Sequence, residues 1–483
     1  MRNGPAARRP PAARSLWLLS LLVAAACVAP GPGPALRSAT ATLLDTPALA
    51  GGRVGVCVVD AANGELLVEH AADRGFATAS NMKLLSAAVA LATLGPDYTF
   101  TTELAASGEV REGVLDGDLV VVGRGDPTLG SDADGAAVAA FVDGLAAAGI
   151  RRVRGRVVGD DRWLGTEHLG LGWQWDYLDE DYAAPFGGLC YAGNVVTITV
   201  RPGAAGPEVQ VLPVAVTVPK LAIAQGAAGS ATALTVHRRL GTDEVTVGGS
   251  LAVDAAPTTL RVTVRDPAQF AASALSAALR TAGIVIDGEE VPAGGVVRVL
   301  ATHRSGPLAT IVEPLLRHSD NLFAEQIWRV AARVATGNAG TAAAERHAKN
   351  VLARCGVDGQ GMVLADGSGL SRRNLVQPRQ LATLLLAALR APWGATFRAG
   401  LPLAGRTGTL RKRFADGPAL GRVQAKTGYI SRVVCLSGYV PRRDPEAPPL
   451  VFSVMLNDFT CSDAEAKAAV DAFVQQLAVV AGW

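Results

Sequence analysis

The chain is poor in charge, in lysine and in aromatic rings. Only 18% of its 483 residues are charged, with 45 basic side chains against 43 acidic ones. A net charge of +2 gives no general reason to expect nucleic acid or an acidic surface as partner. Low charge beside 49% hydrophobic residues also excludes a disordered chain, which needs the opposite composition. The 54 glycines and 27 prolines stay short of the roughly 25–30% found in low-complexity sequence. The six histidines show no metal-ligand spacing, and no cofactor is implied. Beyond Cys27, five cysteines are spread along the chain: Cys57, Cys190, Cys355, Cys435 and Cys461. That odd number has no metal-type spacing and reads mostly as buried free thiols, with Cys435 and Cys461 as the one pair near enough in sequence to suggest a disulfide.

What is present begins with an export signal. Arg2, Arg8, Arg9 and Arg14 lead into an apolar run, Leu16 to Ala26, too short for the about 20 residues that span a bilayer. Pro10 and Pro11 spoil a twin-arginine reading of Arg8-Arg9. Cys27 follows three alanines, so lipidation at Cys27 and ordinary cleavage nearby stand side by side, either placing the protein in the periplasm or cell envelope. The stretch from Val28 to Pro34 reads as an extended tether, giving a signal and tether over 1–40. No later segment anchors the chain in a membrane by itself.

Length suggests about two to four domains. Val54–Val59 and Leu66–Glu69 read as a hairpin, and Ser80 to Leu94 as a helix stopped by Gly95-Pro96. From Thr99 to about Val264, short Val- and Thr-rich strands alternate with Gly turns, interrupted by a helix near 136–148. A helix over 268–282 and four more at about 307–317, 320–335, 341–355 and 378–390 follow. Three strands (421–430, 432–440 and 450–456) and a helix from Ser462 to Val480 close the chain. The pattern predicts a multi-domain α/β protein. Residues 45–98 together with 300–483 form its body, and 99–299 form an inserted region of two smaller β-rich domains.

Scarcity makes each lysine informative. Ser80-Asn81-Met82-Lys83 opens a helix, and residues three apart share a helix face, so the Lys83 amine reaches the Ser80 hydroxyl. Serine is a weak nucleophile without an adjacent base, and a buried lysine held neutral serves as one. Alone, the pattern is an ordinary exposed helix start. It gains meaning from Ser319-Asp320-Asn321, between two helical runs, and Lys426-Thr427-Gly428, ending a strand. Ser-x-x-Lys, Ser-x-Asn and Lys-Thr-Gly in this order are the set of penicillin-binding proteins and serine β-lactamases. In that scheme Ser319 relays a proton to the leaving amine, and Asn321 holds the substrate amide and Lys83. Lys426 supplies a fixed positive charge, and Thr427 binds a terminal carboxylate. The backbone N–H of Tyr429, just past Gly428, joins that of Ser80 as an oxyanion hole.

The 239 positions from Ser80 to Ser319 exceed what a compact β-lactamase has. Here the chain resembles the low-molecular-mass class C penicillin-binding proteins, D-alanyl-D-alanine carboxypeptidases with endopeptidase activity (the S13 peptidases). Gly123-Arg124-Gly125-Asp126-Pro127-Thr128-Leu129 is similar to their Gly-Gly-Gly-Asp-Pro-Thr-Leu, with Arg124 a departure. Gly159-Asp160-Asp161, Gly172-Trp173-Gln174-Trp175-Asp176 and Tyr182-Ala183-Ala184-Pro185 also match. So do the segments from Asp366 to Arg372 and from Gly408 to Phe414. The resemblance implies peptidoglycan stem peptides ending in D-Ala-D-Ala as substrate, a Ser80 acyl-enzyme, and β-lactams as acylating inhibitors. It also implies that Trp173, Asp176 and Arg372 line a substrate side-chain pocket. Tyr429 departs from the Thr usual after Lys-Thr-Gly, which bears on side-chain preference and β-lactam shape.

Decoys have simpler accounts. Arg406-Thr407-Gly408 imitates Lys-Thr-Gly from a loop. His318 beside Ser319 and Asp320 is a helix-end histidine, since triad members meet in space and not along the chain. Asp366-Gly367-Ser368-Gly369 reads as a tight loop bordering the site. Two rival functions share the motifs: a β-lactamase or esterase on the same body, and a catalytically inactive wall-binding homologue.

Overall fold

The computed structural model describes residues 1, 4, 32–131, 135–213, 219–291 and 297–483. The apolar run of the export signal and Cys27 lie outside the described residues. Helix α1 (Pro32–Leu44) opens the fold, followed by the hairpin β1 (Arg53–Asp60) and β2 (Leu66–His70) and, after a short 3-10 turn at Ala79–Asn81, by α2 (Met82–Leu94). Next come β3 (Thr99–Arg111), β4 (Val114–Gly123), α3 (Ala136–Ala147), β5 (Arg152–Val153) and β6 (Val157–Asp160). Six strands succeed them: β7 (Val195–Arg201), β8 (Glu208–Leu212), β9 (Lys220–Gly226), β10 (Ala233–Arg238), β11 (Val245–Ala252) and β12 (Thr258–Thr263). Helix α4 (Pro267–Thr281), β13 (Val285–Ile286) and β14 (Val297–Pro307) complete the middle of the chain. The remainder is α5 (Leu308–His318), α6 (Asn321–Thr336), α7 (Thr341–Arg354), α8 (Pro378–Ala388), α9 (Gly394–Ala399), β15 (Gln424–Ile430), β16 (Val433–Val440), β17 (Leu450–Asn457) and α10 (Asp463–Val480).

The body is a five-stranded antiparallel sheet in the order β15-β16-β17-β1-β2. Every residue of β16 and β17 is buried, because both faces of the sheet are covered. Alternation along each strand sorts the side chains. Val56, Val58, Phe452 and Val454 face α1 and α10, whereas Cys57, Val451 and Met455 join the helical cluster on the other side. Helix α2 runs through that cluster and is buried all round, with every residue from Met82 to Leu91, Lys83 and Ser86 included, out of solvent.

The predicted tether requires a correction. Pro32, Gly33 and Pro34 form the first turn of α1, where missing N–H donors cost nothing. Leu36, Ala39 and Leu43 recur at helical spacing and are buried on the sheet-facing side, with α1 against α10. The predicted strand over 209–218 ends at Leu212; positions 214–218 lie outside the described residues. The suggested Cys435–Cys461 bridge is absent: both are free thiols, as are Cys57, Cys190 and Cys355.

In the middle of the chain, β13-β5-β4-β3-β14, with β6 on β4, packs on α3 and α4 around Leu119, Phe141 and Leu275. Two three-stranded sheets, β12-β7-β8 and β10-β11-β9, close a separate small core of Ile198, Val247 and Val262. Strand β14 pairs along β3 with Thr99 opposite Pro307, so the chain leaves and re-enters the helical cluster at one place.

Candidate active site

Ser80 sits on the 3-10 turn that opens α2, and hydrogen bonds to the central strands fix that turn. Asn457 on β17 accepts from the Ala77 N–H at 2.8 Å and donates to the Ala77 carbonyl at 3.1 Å. The Asn81 amide donates to Ser437 Oγ at 2.7 Å, and Ser437 donates to Ser453 at 2.9 Å. Ala79, just before Ser80, has φ +42°, a conformation that costs a non-glycine residue energy and persists only when surroundings impose it. Two glycines allow the approach. A Cβ on Gly428 of β15 would stand 2.7 Å from the Thr78 carbonyl oxygen, and one on Gly369 would collide with the Ala79 carbonyl.

The second motif is a corner between helices. Helix α5 ends at exposed His318, Ser319 turns left-handed with φ +68°, and Asp320 caps α6 by accepting the Phe323 N–H at 2.9 Å. This sends Ser319 and Asn321 into the cleft while Asp320 serves the helix end. The third motif lies on β15, the edge strand of the sheet, beside the Ser80 turn. Lys426 and Gly428 face inward and are buried; Thr427 and Tyr429 take the other face.

These pieces converge. Lys83 Nζ lies 2.9 Å from Ser80 Oγ, donates to the Ser368 carbonyl at 2.6 Å and also bonds Asn321 Oδ1. Lys426 donates to Ser319 Oγ at 2.9 Å. Both lysines are fully buried. Burial pulls the Lys83 amine down to about 8, against the opposing pull of Asp366, Asp320 and Glu325. Burial, then the charge of Lys83, pushes Lys426 well below its ordinary range.

A cavity of about 460 Å³ opens over Ser80, lined also by Ser319, Asn321, Tyr177, Tyr182, Gly369, Leu370, Tyr429, Ile430 and Ser431. Tyr177 and Tyr182 meet edge to face at 5.7 Å, and the Asn321 amide donates to the Tyr182 carbonyl at 2.6 Å. Tyr429 is held from behind by α10: its hydroxyl donates to Asp463, and Lys467 stands 4.0 Å from its ring centre. Thr427 donates to Thr409 Oγ1 at 2.8 Å, so the Arg406-Thr407-Gly408 loop borders the site through its next residue.

Three predicted pocket residues lie further out. Asp176 is exposed on a short turn next to Tyr177. The Trp173 indole N–H donates to buried Asp366 at 3.0 Å, and Arg372 bonds the Ser431 carbonyl. Sequence reasoning missed Tyr177 and Tyr182 as cavity walls, the Ser368 carbonyl and Glu325. Tyr182 opens a quoted motif and Tyr177 directly follows another; a carbonyl or a helical glutamate carries no sequence signal.

The model of the D-Ala-D-Ala carboxypeptidase 3 (S13) family matches residues 36–480. A D-alanyl-D-alanine carboxypeptidase of Actinomadura sp. (strain R39) is 40% identical over 472 residues, covering 92% of this chain and 85% of that protein. The chain belongs to the S13 family of D-Ala-D-Ala carboxypeptidases. A D-alanyl-D-alanine carboxypeptidase of Haemophilus influenzae, DacB, is 26% identical over 435 residues, covering 86% of this chain and 88% of that protein. The crystal structure of penicillin binding protein 4 from the same organism has the same fold, with a TM-score of 0.76 at 24% identity, covering 92% of this chain and 98% of that one. The S13 chain is thus a serine-type carboxypeptidase on a mixed α/β penicillin-binding-protein body, as its motifs implied. Among the described residues no helix is long and apolar enough to cross a membrane, and no cluster of side chains could hold a metal.

Proposed function

We propose that the chain cleaves peptidoglycan stem peptides through a Ser80 acyl-enzyme, releasing terminal D-Ala or opening cross-links. The observation that carries this is the 2.9 Å approach of buried Lys83 to Ser80, within reach of a 460 Å³ cavity. Neutral Lys83 takes the Ser80 proton, and Oγ attacks the carbonyl carbon of the penultimate D-Ala. The backbone N–H groups of Ser80 and Tyr429 receive the negative charge on the carbonyl oxygen. The C–N bond breaks as Ser319 relays to the leaving amine the proton that Lys83 took from Ser80, leaving Lys83 neutral and the Ser319 hydroxyl restored. Water then opens the ester, returning a proton to Ser80. Asn321 aligns the substrate amide. A substrate carboxylate beside Lys426 and Thr427 restores the charge that burial suppresses on that lysine. Asp176, Trp173 and Arg372 border the substrate side chain from outside the cavity. The region 99–299 acts as two smaller domains that shape this side of the cleft. The leader sequence directs the protein to the periplasm or cell envelope, either by lipidation at Cys27 or by ordinary cleavage nearby.

A penicillin-binding protein 4 with this fold has been captured with a β-lactam, and β-lactams are proposed inhibitors here. The test is intact mass after benzylpenicillin, beside Ser80→Ala. A persistent adduct on the parent and none on the variant is expected. Rapid loss of the adduct with penicillin turnover favours a β-lactamase or esterase; no adduct and no D-Ala release from a folded protein makes it an inactive wall-binding homologue.

A further inference from the structure

The loop 366–371 touches the nucleophile turn and the catalytic lysine together, and two buried carboxylates hold it. Gly369, with φ +86°, packs so closely on Ala79 that a Cβ would overlap the Ala79 carbonyl. The Ser368 carbonyl accepts from Lys83 at 2.6 Å. Asp366, the first residue of the loop, is fully buried and accepts the Gly369 N–H at 2.8 Å, the Ser371 N–H at 2.6 Å and the Trp173 indole N–H. Its bond to Gly369 polarises the same peptide group whose carbonyl takes Lys83, and hydrogen bonds on opposite ends of a peptide reinforce each other.

Glu325, on the buried face of α6, supplies the second anchor. One oxygen accepts the N–H groups of both Gly367 and Ser368 at 2.9 Å; the other faces Arg329 at a longer 3.7 Å. A fully buried glutamate is costly to keep, and Arg329 spends its better hydrogen bonds on Glu167, Thr341 and the Ala339 carbonyl. Plain packing would favour an apolar residue here.

We infer that Glu325 is a positioning residue for acylation: through the Gly367 and Ser368 amides it fixes the loop so that the Ser368 carbonyl aims the Lys83 amine at Ser80. This rests on Lys83 being the base that activates Ser80. Lys83 faces Asp320 and Glu325 from α6, Asp366 from the loop and Lys426 from β15. Glu325 faces Asp366 and Arg329, and burial first and Asp366 second push its carboxyl up to about 7. Its negative charge at the lysine, added to that of Asp366, therefore builds as pH rises through neutrality.

The test is the benzylpenicillin acylation rate of the purified chain against pH, for the parent, Glu325→Gln, Glu325→Asp and Lys83→Ala, with thermal unfolding of each. Glu325→Gln keeps the shape and one acceptor but loses the charge. Removing a negative neighbour makes Lys83 easier to deprotonate, so the acid limb moves to lower pH by roughly half to one unit, and a slacker loop lowers the plateau about tenfold or more. A role confined to stability leaves the plateau unmoved, whatever the limb does. If Glu325→Gln does not fold, Glu325→Asp decides: it keeps the charge with a shorter reach, so the limb holds and the plateau falls. A parent-like plateau in folded Glu325→Gln, or in Glu325→Asp, overturns the inference. Parent-like acylation by Lys83→Ala overturns the underlying assignment of the base instead, which separates the two failures.

Discussion

Gly428→Ala puts the geometry of the cleft to a direct test. The added methyl would stand 2.7 Å from the Thr78 carbonyl oxygen, 3.0 Å from Cys435 Cβ and 3.2 Å from the Asn81 nitrogen. None of these neighbours gives way easily. The Thr78–Asn81 turn is pinned through Asn81 to Ser437 and through Asn457 to Ala77, and Cys435 is fully buried. The element free to move is β15, which has a strand on one side only. Restoring an ordinary contact of about 3.4 Å displaces it by ~0.7 Å, at an overpacking cost of about 1–3 kcal/mol. The displacement carries the Tyr429 N–H and Lys426 with it, and misplacements near 1 Å cost on the order of 10²-fold in rate. Stopped-flow acylation by benzylpenicillin beside thermal unfolding should show a modest loss of stability and a rate loss of about 100-fold. Acylation within about twofold of the parent would refute the reasoning, because the spacing between β15 and the Ser80 turn would then not govern the chemistry.

Acylation of the parent chain should rise about tenfold per pH unit and level off above about 8, since only the unprotonated Lys83 amine can take the Ser80 proton; a flat rate from pH 6 to 10 would contradict this. Leu36→Ala, at a fully buried site on α1, should cost about 2–5 kcal/mol in denaturant unfolding. A cost under about 0.5 kcal/mol would show α1 to be no part of the packed body.

The reactive groups were legible because chemistry constrains them by type and order. Ser80, Lys83, Ser319, Asn321 and Lys426 are named by three motifs in a fixed order, and the structure joins Lys83 to Ser80 and Asn321, and Lys426 to Ser319, by hydrogen bonds. The hairpin β1–β2 and the long apolar helices were visible for the same reason, as periods that only one structure satisfies. Elements without such periods were missed. Strand β14 exposes Val297 and Val299, so its sequence carries no buried face to read. In β9 no residue is fully buried, and α9 has only six residues. Helix α1 was hidden by its prolines, although Leu36, Ala39 and Leu43 were already at helical spacing. Glu325 was invisible for another reason: on an amphipathic helix a glutamate is ordinarily solvent-facing, and only tertiary packing turns this one inward.

Strand β1 lies between β2 and β17, and the bonds that hold the nucleophile turn run from Ala77 to Asn457, 380 residues later. Chains are made from the amino end, and pairings so distant in sequence form last and slowly. Ser80 and Lys83 are therefore synthesised early and armed late. Until β17 arrives, Ser80 has Lys83 three residues away but no frame to hold the turn and no β15 wall beside it. A chain truncated before Asn457 would carry the full Ser-x-x-Lys motif and cut nothing. The split body thus makes the shape of the cleft depend on strands that lie on either side of the whole inserted region.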